Sequence, residues 1–208
     1  MKLDTMDEIR QQPVRLARSQ RKRAAEVLCR AFQNEPWAEY LSPDWRLRPR
    51  LLSLIFNAQL NYCFLYGEIY TTSALHGVSC WLYSPYAHFT HWQRLYSGMT
   101  LMSHRLGREA RRRYADLVIP TGVLRHRIMQ RPYWYLLALG VEPTCQRQGI
   151  GGQLTWPMLA RADAEKLPCF LETQSERNVS YYQKYGFAVA GTGATPIPFW
   201  SMVREPRP

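Results

Sequence analysis

One segment restricts the possible folds of this chain more than any other: a glycine-rich turn between a predicted buried strand and a predicted helix. Tyr133 to Val141 is an apolar run long enough for a buried central strand, which Pro143 ends. Ile150 to Lys166 has the pattern of a helix, and Pro157 inside it predicts a kink. The turn that joins them reads Gln146-Arg147-Gln148-Gly149-Ile150-Gly151-Gly152. A buried strand therefore leads directly into a helix that glycines open.

This turn predicts a binding site for an anion. Glycines let the chain adopt positive φ and let a ligand approach the backbone closely. The free N–H groups of the first helical turn present about half a positive charge, which suits a pyrophosphate. The spacing of Gly149, Gly151 and Gly152 does not match the Gly-x-Gly-x-x-Gly pattern of dinucleotide-binding folds. The alternative is a helix start whose glycines serve packing alone.

Short strands and helices are predicted before this turn. Val14 to Ala17 fits a first strand, and apolar residues at i, i+3, i+4 and i+7 then mark a helix that ends near Pro36. The apolar face of that helix consists of Ala25, Leu28, Cys29 and Phe32, and that of a second helix consists of Leu51, Ile55, Ala58 and Tyr62. Glu68 to Thr72 and Val78 to Leu82 predict a β-hairpin.

The rest of the chain divides into a helical region and a closing set of short elements. His88 to Tyr114 is compatible with helix, and Pro120 separates it from another short helical stretch. We interpret residues 86–131 as a helical insertion or lid. The closing elements are a strand at Phe170 to Thr173, a helix at Val179 to Tyr185, and strands at Phe187 to Ala190 and Phe199 to Val203.

The composition restricts the class of protein further. A chain of 208 residues with 46% hydrophobic residues can bury the core of one domain. Its apolar stretches are shorter than the roughly 20 residues that cross a bilayer, and Met1 to Gln12 lacks the apolar segment of a secretory signal, so we expect a cytoplasmic protein without membrane contact. The scattered cysteines and histidines predict no metal site. A formal net charge of +11 attracts polyanions without selecting one.

An ordered set of motifs resembles the GNAT superfamily of N-acetyltransferases. The set comprises Leu139-Gly140-Val141-x-Pro143, Gln146-x-x-Gly149-x-Gly151, Asn178, and Tyr182-x-x-x-Gly186-Phe187. Within the superfamily, the puromycin N-acetyltransferase-like branch looks closest, on Trp134 to Gly152, Leu171-Glu172-Thr173, Asn178-Val179-x-x-Tyr182 and Trp200-x-Met202. The resemblance covers about residues 133 to 203.

The resemblance implies a single acetyltransferase domain of α/β (α+β) class over residues 1–208. Its central sheet would be mixed and mostly antiparallel, flanked by helices, and its fourth and fifth strands would splay apart to admit acetyl-coenzyme A. By resemblance, the cofactor-binding residues are Leu139, Gly140 and Val141 beside the pantetheine arm, Arg147, Gln148, Gly149, Ile150, Gly151 and Gly152 at the pyrophosphate, and Asn178. Arg147 stands where the puromycin-like branch usually has glycine, which leaves the backbone amides in place.

The resemblance also assigns two catalytic residues. Glu172 aligns with a position that serves as general base in some GNAT enzymes, and Tyr182 aligns with the tyrosine that passes a proton to the coenzyme A sulfur. The alternatives are a strand-end carboxylate paired with a basic residue and a tyrosine that only packs. Tyr181 and Tyr185 are expected to pack.

The implied reaction is acetyl transfer to an amine by direct attack, and the expected partner is a small-molecule amine. A protein N-terminus or lysine is the enzymatic alternative, and a non-catalytic coenzyme A-binding or RNA-associated domain is the other. Nucleic acid is not expected as a partner, because we interpret the basic cluster as a solvated helix face, and a homodimer stays open. The basic cluster comprises Arg105, Arg108, Arg111, Arg112 and Arg113, and the aromatic residues hypothesised to line an acceptor pocket are Tyr83, Tyr86, Phe89, Trp92 and Tyr96 with Trp37 and Tyr40.

Overall fold

The fold is a seven-stranded sheet flanked by eight helices, in a computed structural model that describes residues 12–207. The strands are β1 Val14–Arg15, β2 Gly67–Thr71, β3 Gly77–Tyr83, β4 Trp134–Val141, β5 Cys169–Thr173, β6 Ala188–Gly193 and β7 Phe199–Arg204. They lie in the order β1-β2-β3-β4-β5-β7-β6. All neighbouring strands are antiparallel except β4 and β5, which are parallel. The predicted mixed, mostly antiparallel sheet is therefore confirmed.

The helices cover both faces of this sheet. They are α1 Arg21–Phe32, α2 Pro36–Leu41, α3 Arg48–Tyr66, α4 His91–Tyr96, α5 Met99–Arg105, α6 Arg108–Ile128, α7 Ile150–Ala164 and α8 Glu176–Gln183. Helices α1 and α3 bury Leu28 and Phe56 in the core on one face, and α7 buries Met158 and Leu159 in the core on the other. Apolar burial of this kind holds the helices against the strands.

Strands β3 and β4 lie at the centre, as their composition predicts. Six of the seven β3 residues are buried, and β4 alternates its side chains between the two cores, with Tyr135 on the α1–α3 side and Leu136 on the α7 side. A strand covered on both faces needs apolar residues throughout, which is the pattern of Tyr133 to Val141. The helices and strands predicted on either side of β4 are also present.

One helix contradicts the prediction for its region. Pro120 does not separate two helical stretches but lies inside α6, which runs unbroken from Arg108 to Ile128. Proline leaves a carbonyl of the preceding turn without its N–H donor. Beside it, the hydroxyl of Thr121 donates to the carbonyl oxygens of Leu117 and Val118, and Leu117 and Thr121 are buried. Packing of this helix face therefore outweighs the cost of the proline.

Two further predictions concern the limits of α8 and the first residues of the chain. The helix predicted at Val179 to Tyr185 begins earlier, at Glu176, and ends at Gln183. The predicted absence of a secretory signal concerns Met1 to Gln12, and residues 1–11 of that segment lie outside the described part of the chain. Across residues 12–207, no helix combines the length and the apolarity that a membrane span requires.

Candidate active site

The two parallel strands at the centre of the sheet separate after two residue pairs. β4 pairs with β5 only at Trp134 with Cys169 and Tyr135 with Phe170. Beyond that point β4 keeps its antiparallel partner β3 as far as Val141, whereas its other edge has no strand beside it. The predicted splay is confirmed, and it leaves backbone N–H and C=O groups of β4 free to pair with an extended ligand.

A β-bulge lies where this free edge begins. The register of β3 on β4 shifts from Cys80 opposite Ala138 to Trp81 opposite Leu136, so Leu137 is an extra residue without an opposite neighbour. Bulges bend a strand and redirect its groups, and they are common beside functional sites. Here the bulge turns the start of the free edge toward a cavity that Leu137 and Ala138 line.

The glycine-rich turn forms a cradle of backbone N–H groups at the far end of the free edge. Arg147 and Gly149 have φ values of 64° and 83°, which make the chain turn sharply before α7. The first bond of the helix runs from the Gln153 N–H to the Gly149 carbonyl at 3.1 Å. The N–H groups of Ile150, Gly151 and Gly152 precede that bond and have no partner within the helix. Free N–H groups at a helix start are what the predicted anion site requires.

Tyr181 on α8 and Tyr185, which follows the end of that helix, pack against the start of α7. A methyl group added at Gly151 would lie 2.5 Å from the hydroxyl oxygen of Tyr181, and one at Gly152 would overlap the hydroxyl of Tyr185. The expected packing role of both tyrosines is therefore confirmed, and it is an additional reason for glycine at both positions. The Tyr181 hydroxyl is buried, and burial together with its contact with Tyr185 raises the pKa of Tyr181.

A cavity of about 770 Å³ opens on the α1–α3 face of the sheet, next to the splay. Strand residues Tyr135, Leu137, Ala138 and Glu172 form its floor, and helices α3 and α6 form its walls. The residues predicted as an insertion or lid therefore supply much of its lining. Its volume and mainly apolar surface suit a small organic molecule.

Glu172 is the acidic side chain of this cavity. Its side chain is 6% exposed, and its two oxygens accept bonds from Arg125 at 3.2 Å and from the Tyr135 hydroxyl at 2.6 Å. Burial raises the pKa of Glu172 above its ordinary value, against the opposing influence of Arg125 and Tyr135. Each carboxylate oxygen has a second lone pair, so the group retains capacity to accept a proton or a further hydrogen bond.

Tyr182 lies on α8 and packs against the core on the α7 side of the sheet. Its ring contacts the rings of Tyr181 and Phe187 at centroid distances of 5.1 and 5.8 Å. Burial raises its pKa, and the charge of Glu35 adds to that rise. The phenol therefore stays protonated at neutral pH and can act as a hydrogen-bond donor.

Comparison with known proteins shows to which family a chain with this free strand edge, cradle and cavity belongs. Residues 73–187 match the model of the Acetyltransferase (GNAT) family, which is more than half of the chain. The chain belongs to the GNAT acetyltransferase family. An uncharacterized N-acetyltransferase of Schizosaccharomyces pombe is 26% identical over 199 residues, which cover 89% of this chain and 79% of the relative. Family and relative together identify an acyltransferase enzyme.

Solved structures share the GNAT fold. One from Corynebacterium glutamicum, described as histone acetyltransferase HPA2 and related acetyltransferase, superposes with a TM-score of 0.64 at 20% identity and covers 95% of this chain and 98% of its own. An agmatine N-acetyltransferase superposes with a TM-score of 0.56 at 14% identity, covering 93% and 98%. At such identities the similarity establishes the fold alone. The match to the family model confirms the superfamily assignment made from the motifs.

GNAT acetyltransferases use acetyl-coenzyme A, and the residues present here fit that molecule. The cradle offers N–H groups to a pyrophosphate, and the open edge of β4 offers backbone groups to the amide-rich pantetheine arm. Gln146 ties the turn to the end of the strand through a 3.2 Å bond from its side-chain amide to the Val141 carbonyl.

Gly140 has a role in packing that its place in the GNAT motif does not reveal. A methyl group added there would lie 2.8 Å from Leu28 and 3.1 Å from Ala31 and Phe32, all on α1. The glycine therefore lets α1 approach β4 closely.

Glu35 is a candidate site residue that sequence reasoning missed. It directly precedes α2, and its side chain is 17% exposed. Its carboxylate contacts Asn178 at 3.4 Å and Arg177 at 3.5 Å, and burial raises its pKa. The predicted cofactor-binding residue Asn178 therefore bonds to a carboxylate close to Tyr182. In the sequence, Glu35 is recognisable only as a glutamate before a proline at a helix start. Its partners could not be predicted, because they are more than 140 residues away in the chain.

Two of the aromatic residues considered for an acceptor pocket line the cavity. Trp37 and Phe89 line the cavity, together with Phe32 and Phe56. Five others do not line it: Tyr40, Tyr83, Tyr86, Trp92 and Tyr96. Trp92 and Tyr96 are 65% and 73% exposed on α4, because that short helix turns them away from the core.

The basic cluster also divides between two environments. Arg111 lines the cavity, whereas Arg113 bonds to the Tyr40 carbonyl and to Glu109. Arg105, Arg108 and Arg112 are exposed, in agreement with a solvated helix face. Among residues 12–207, no three His, Cys, Asp or Glu side chains come together as metal ligands would.

Proposed function

We propose that this GNAT enzyme transfers an acetyl group from acetyl-coenzyme A to a primary or secondary amine of a small molecule by direct attack. One observation carries the proposal: the free edge of β4 runs from the cavity at Leu137 and Ala138 to the cradle beyond Val141. A cofactor bound along that edge would present its reactive end where the cavity begins. The acetyl donor and an amine in the cavity would then meet at the splay.

The backbone is the proposed cofactor site. The N–H groups from Arg147 to Gly152 would hold the pyrophosphate, and Leu139, Gly140 and Val141 would pair with the pantetheine arm. Acetyl-coenzyme A supplies an acetyl group activated as a thioester. An N–H group of the free edge beside the bulge at Leu137 would polarise the thioester carbonyl. In this proposal Asn178 contributes indirectly, by holding Glu35.

Glu172 is the proposed general base. An amine is mostly protonated at neutral pH, so a proton must leave the nitrogen before it attacks. The raised pKa of Glu172 makes it a better proton acceptor than an exposed carboxylate, and its position on the cavity floor supports contact with the amine, directly or through a water. Tyr135 and Arg125 hold the carboxylate in one orientation.

Tyr182 is the proposed donor to the departing sulfur. Its raised pKa keeps the proton on the phenol oxygen at neutral pH. The same rise makes complete transfer of that proton to a thiolate unfavourable, so we assign Tyr182 a hydrogen bond that stabilises the developing negative charge on sulfur. Glu35 supports this role because its nearby charge disfavours loss of the phenol proton.

A small molecule is the preferred acceptor for two reasons. Helices α3 and α6 wall the cavity, and its volume and mainly apolar surface suit a small organic molecule. The agmatine N-acetyltransferase of similar fold acts, by its name, on a small amine, and the motifs resemble the puromycin N-acetyltransferase-like branch. A protein N-terminus or a lysine is the alternative that the experiment below includes.

Thiol release from acetyl-coenzyme A tests the proposal. The purified protein is given aminonucleosides, arylalkylamines, polyamines, amino acids and short peptides in parallel. We expect release that depends on a small amine, and a decrease of about tenfold to a hundredfold in kcat for Tyr182→Phe. Glu172→Gln should decrease kcat by a similar factor at neutral pH.

Two controls separate chemistry from folding and binding. Calorimetric titration with coenzyme A shows whether each variant still binds the cofactor, and thermal unfolding shows whether it is folded. Glu109→Gln on the exposed surface of α6 removes a carboxylate that lies outside the cavity lining. Release with peptides alone would overturn the small-molecule assignment, and failure to bind coenzyme A would overturn the whole proposal.

A further inference from the structure

The charges around the cavity define a class of acceptor. We propose that the amine substrate carries an anionic group, a carboxylate or a phosphate, which the arginines of the cavity recognise. The inference rests on the proposed acetyl transfer and specifies its substrate. It follows from the side chains that line the cavity: Arg94, Arg111, Arg125, Arg127, His88 and His126 face it, and Glu172 is the acidic residue among the lining residues.

The acidic side chain of Glu172 does not offset the excess of positive charge among the residues that line the cavity. Glu172 is already paired with Arg125, so that pair adds no net charge to the cavity. The other three arginines, Arg94, Arg111 and Arg127, have no ion-pair partner within residues 12–207. They are exposed side chains on α4 and α6, and they are free to turn toward a ligand.

Nearby carboxylates are engaged elsewhere. Glu109 pairs with Arg113 at 2.7 Å, and Asp116 accepts a hydrogen bond from the Tyr40 hydroxyl at 3.3 Å. Neither residue lines the cavity. Neither carboxylate therefore forms an ion pair with Arg111 or Arg127 of the same helix.

The histidines are in the same positive field. The rings of His88 and His126 lie 6.0 Å apart at the cavity. Burial lowers the pKa of His88, and the charges of Arg125 and His126 lower it further. A second cation in this cavity is disfavoured for the same reason, because like charges oppose the charged form of a base.

This field has two consequences for an amine. It opposes binding of a substrate with an additional cationic group, and it favours loss of the proton from the reacting ammonium, which aids attack. A carboxylate or phosphate on the substrate would offset the repulsion and pair with the free guanidinium groups. The apolar lining from Phe32, Trp37 and Phe56 would accommodate the body of the molecule between its two polar ends.

Matched amines test the charge preference. Phenethylamine, para-carboxyphenethylamine, O-phosphotyramine and para-amidinophenethylamine share one skeleton and differ in the charge at the far end. We expect kcat/KM in thiol release to be highest for an anionic member, at least about tenfold above phenethylamine, and lowest for the amidine. The carboxylate and phosphate members distinguish which anionic group the cavity prefers. Raising the salt from about 0.05 to about 0.5 M should reduce the preference, because ions screen exposed charges.

Two neighbouring arginines provide the matched variants. Arg111→Gln removes a lining charge and should raise KM for the preferred anionic amine about threefold to fivefold, with little change for phenethylamine. Arg112→Gln removes the same charge from an adjacent exposed position that does not line the cavity, and it should leave both values unchanged. The double variant Arg94→Gln/Arg127→Gln should raise KM for the anionic amine roughly tenfold.

Binding measured without turnover keeps this inference separate from the proposed reaction. Calorimetric titration of the same four amines into protein saturated with coenzyme A reports their order of affinity even if no thiol is released. An anionic preference in binding with no release would support the ligand class and overturn the acetyl transfer to these amines. Equal affinities for the four amines, or a preference for the amidine, would overturn the inference even if acetyl transfer occurs.

Discussion

The proposed cofactor side and the proposed acceptor side of this enzyme, called the cofactor side and the acceptor side below, are built from different parts of the polypeptide. On the cofactor side, β4, the turn at Gln146 to Gly152 and α7 offer backbone groups. Glycine is required at a position such as Gly151, because a side chain there would clash with Tyr181. On the acceptor side, β5, α3 and α6 supply side chains such as Glu172 and Arg125. A site made of backbone leaves a local glycine pattern in the sequence, whereas a site made of side chains from distant segments leaves none.

The largest expected effect lies on the acceptor side, at the buried pair of Arg125 and Glu172. Their side chains are 10% and 6% exposed, so removing one partner leaves a buried charge without compensation. Arg125→Met should lower the free energy of unfolding by about 3 to 5 kcal/mol, measured by denaturant titration. The double variant Arg125→Met/Glu172→Leu should recover most of that loss. A double variant as unstable as the single one would mean that the two charges do not stabilise each other.

The next effect concerns the cofactor side, at Gly151. Gly151→Ala places a methyl group 2.5 Å from the Tyr181 hydroxyl and should lower the free energy of unfolding by about 1 to 3 kcal/mol. It should also weaken coenzyme A binding in calorimetry, because α8 must shift against the cradle. Adding Tyr181→Phe removes the overlapping oxygen and leaves the nearest ring carbon at 3.4 Å, so stability should return. An unrescued double variant would mean that the helix start, rather than α8, rejects the methyl group.

The pH dependence of activity sharpens the assignment of Glu172. Burial raises its pKa above the ordinary value of 4.5, so the carboxylate becomes available as a base only above that pH. The rising limb of kcat/KM, followed between about pH 4 and about pH 9, should therefore have its midpoint above 4.5 and should disappear in Glu172→Gln.

The same shift predicts the sign of a change in stability. A carboxyl whose pKa is higher in the folded state binds its proton more tightly there. The contribution of Glu172 to stability should therefore decrease as pH rises from the ordinary pKa of 4.5 through the raised pKa of the folded state. Glu172→Gln should remove that component from the pH dependence of unfolding. A limb of activity that persists in Glu172→Gln would assign the base to another group, and Glu35→Gln is then the variant to compare.

The smallest expected effects concern two tryptophans, one that lines the cavity and one that does not. Trp37 lines the cavity and contacts the rings of Phe32 and Phe56 at centroid distances of 5.8 and 6.0 Å. Trp37→Ala should raise KM for the acceptor severalfold, whereas Trp92→Ala, at a side chain 65% exposed and outside the lining, should leave KM unchanged. Equal effects of both substitutions would show that α4 closes over the acceptor during turnover.

Much of the cofactor side could be predicted because its signals are local. The strand at Trp134 to Val141, the turn with Gly149 and the helix that follows are consecutive in the chain, and each has a composition that its backbone requires. The acceptor side could not be predicted to the same extent. Pro120 indicated a break that packing overrides, and five of seven aromatic residues chosen for the pocket lie elsewhere.

The sequence by itself determined the superfamily through its ordered motifs. It also determined the order of most elements and the position of the glycine-rich turn, because short-range conformational preferences specify them. Only the tertiary structure decided that Glu172 pairs with Arg125, that Glu35 lies beside Asn178 and that α6 walls the cavity. These contacts join segments that are 47 and more than 140 residues apart. Contacts at such separations form when the helices pack on the sheet, and no local pattern in the chain records them.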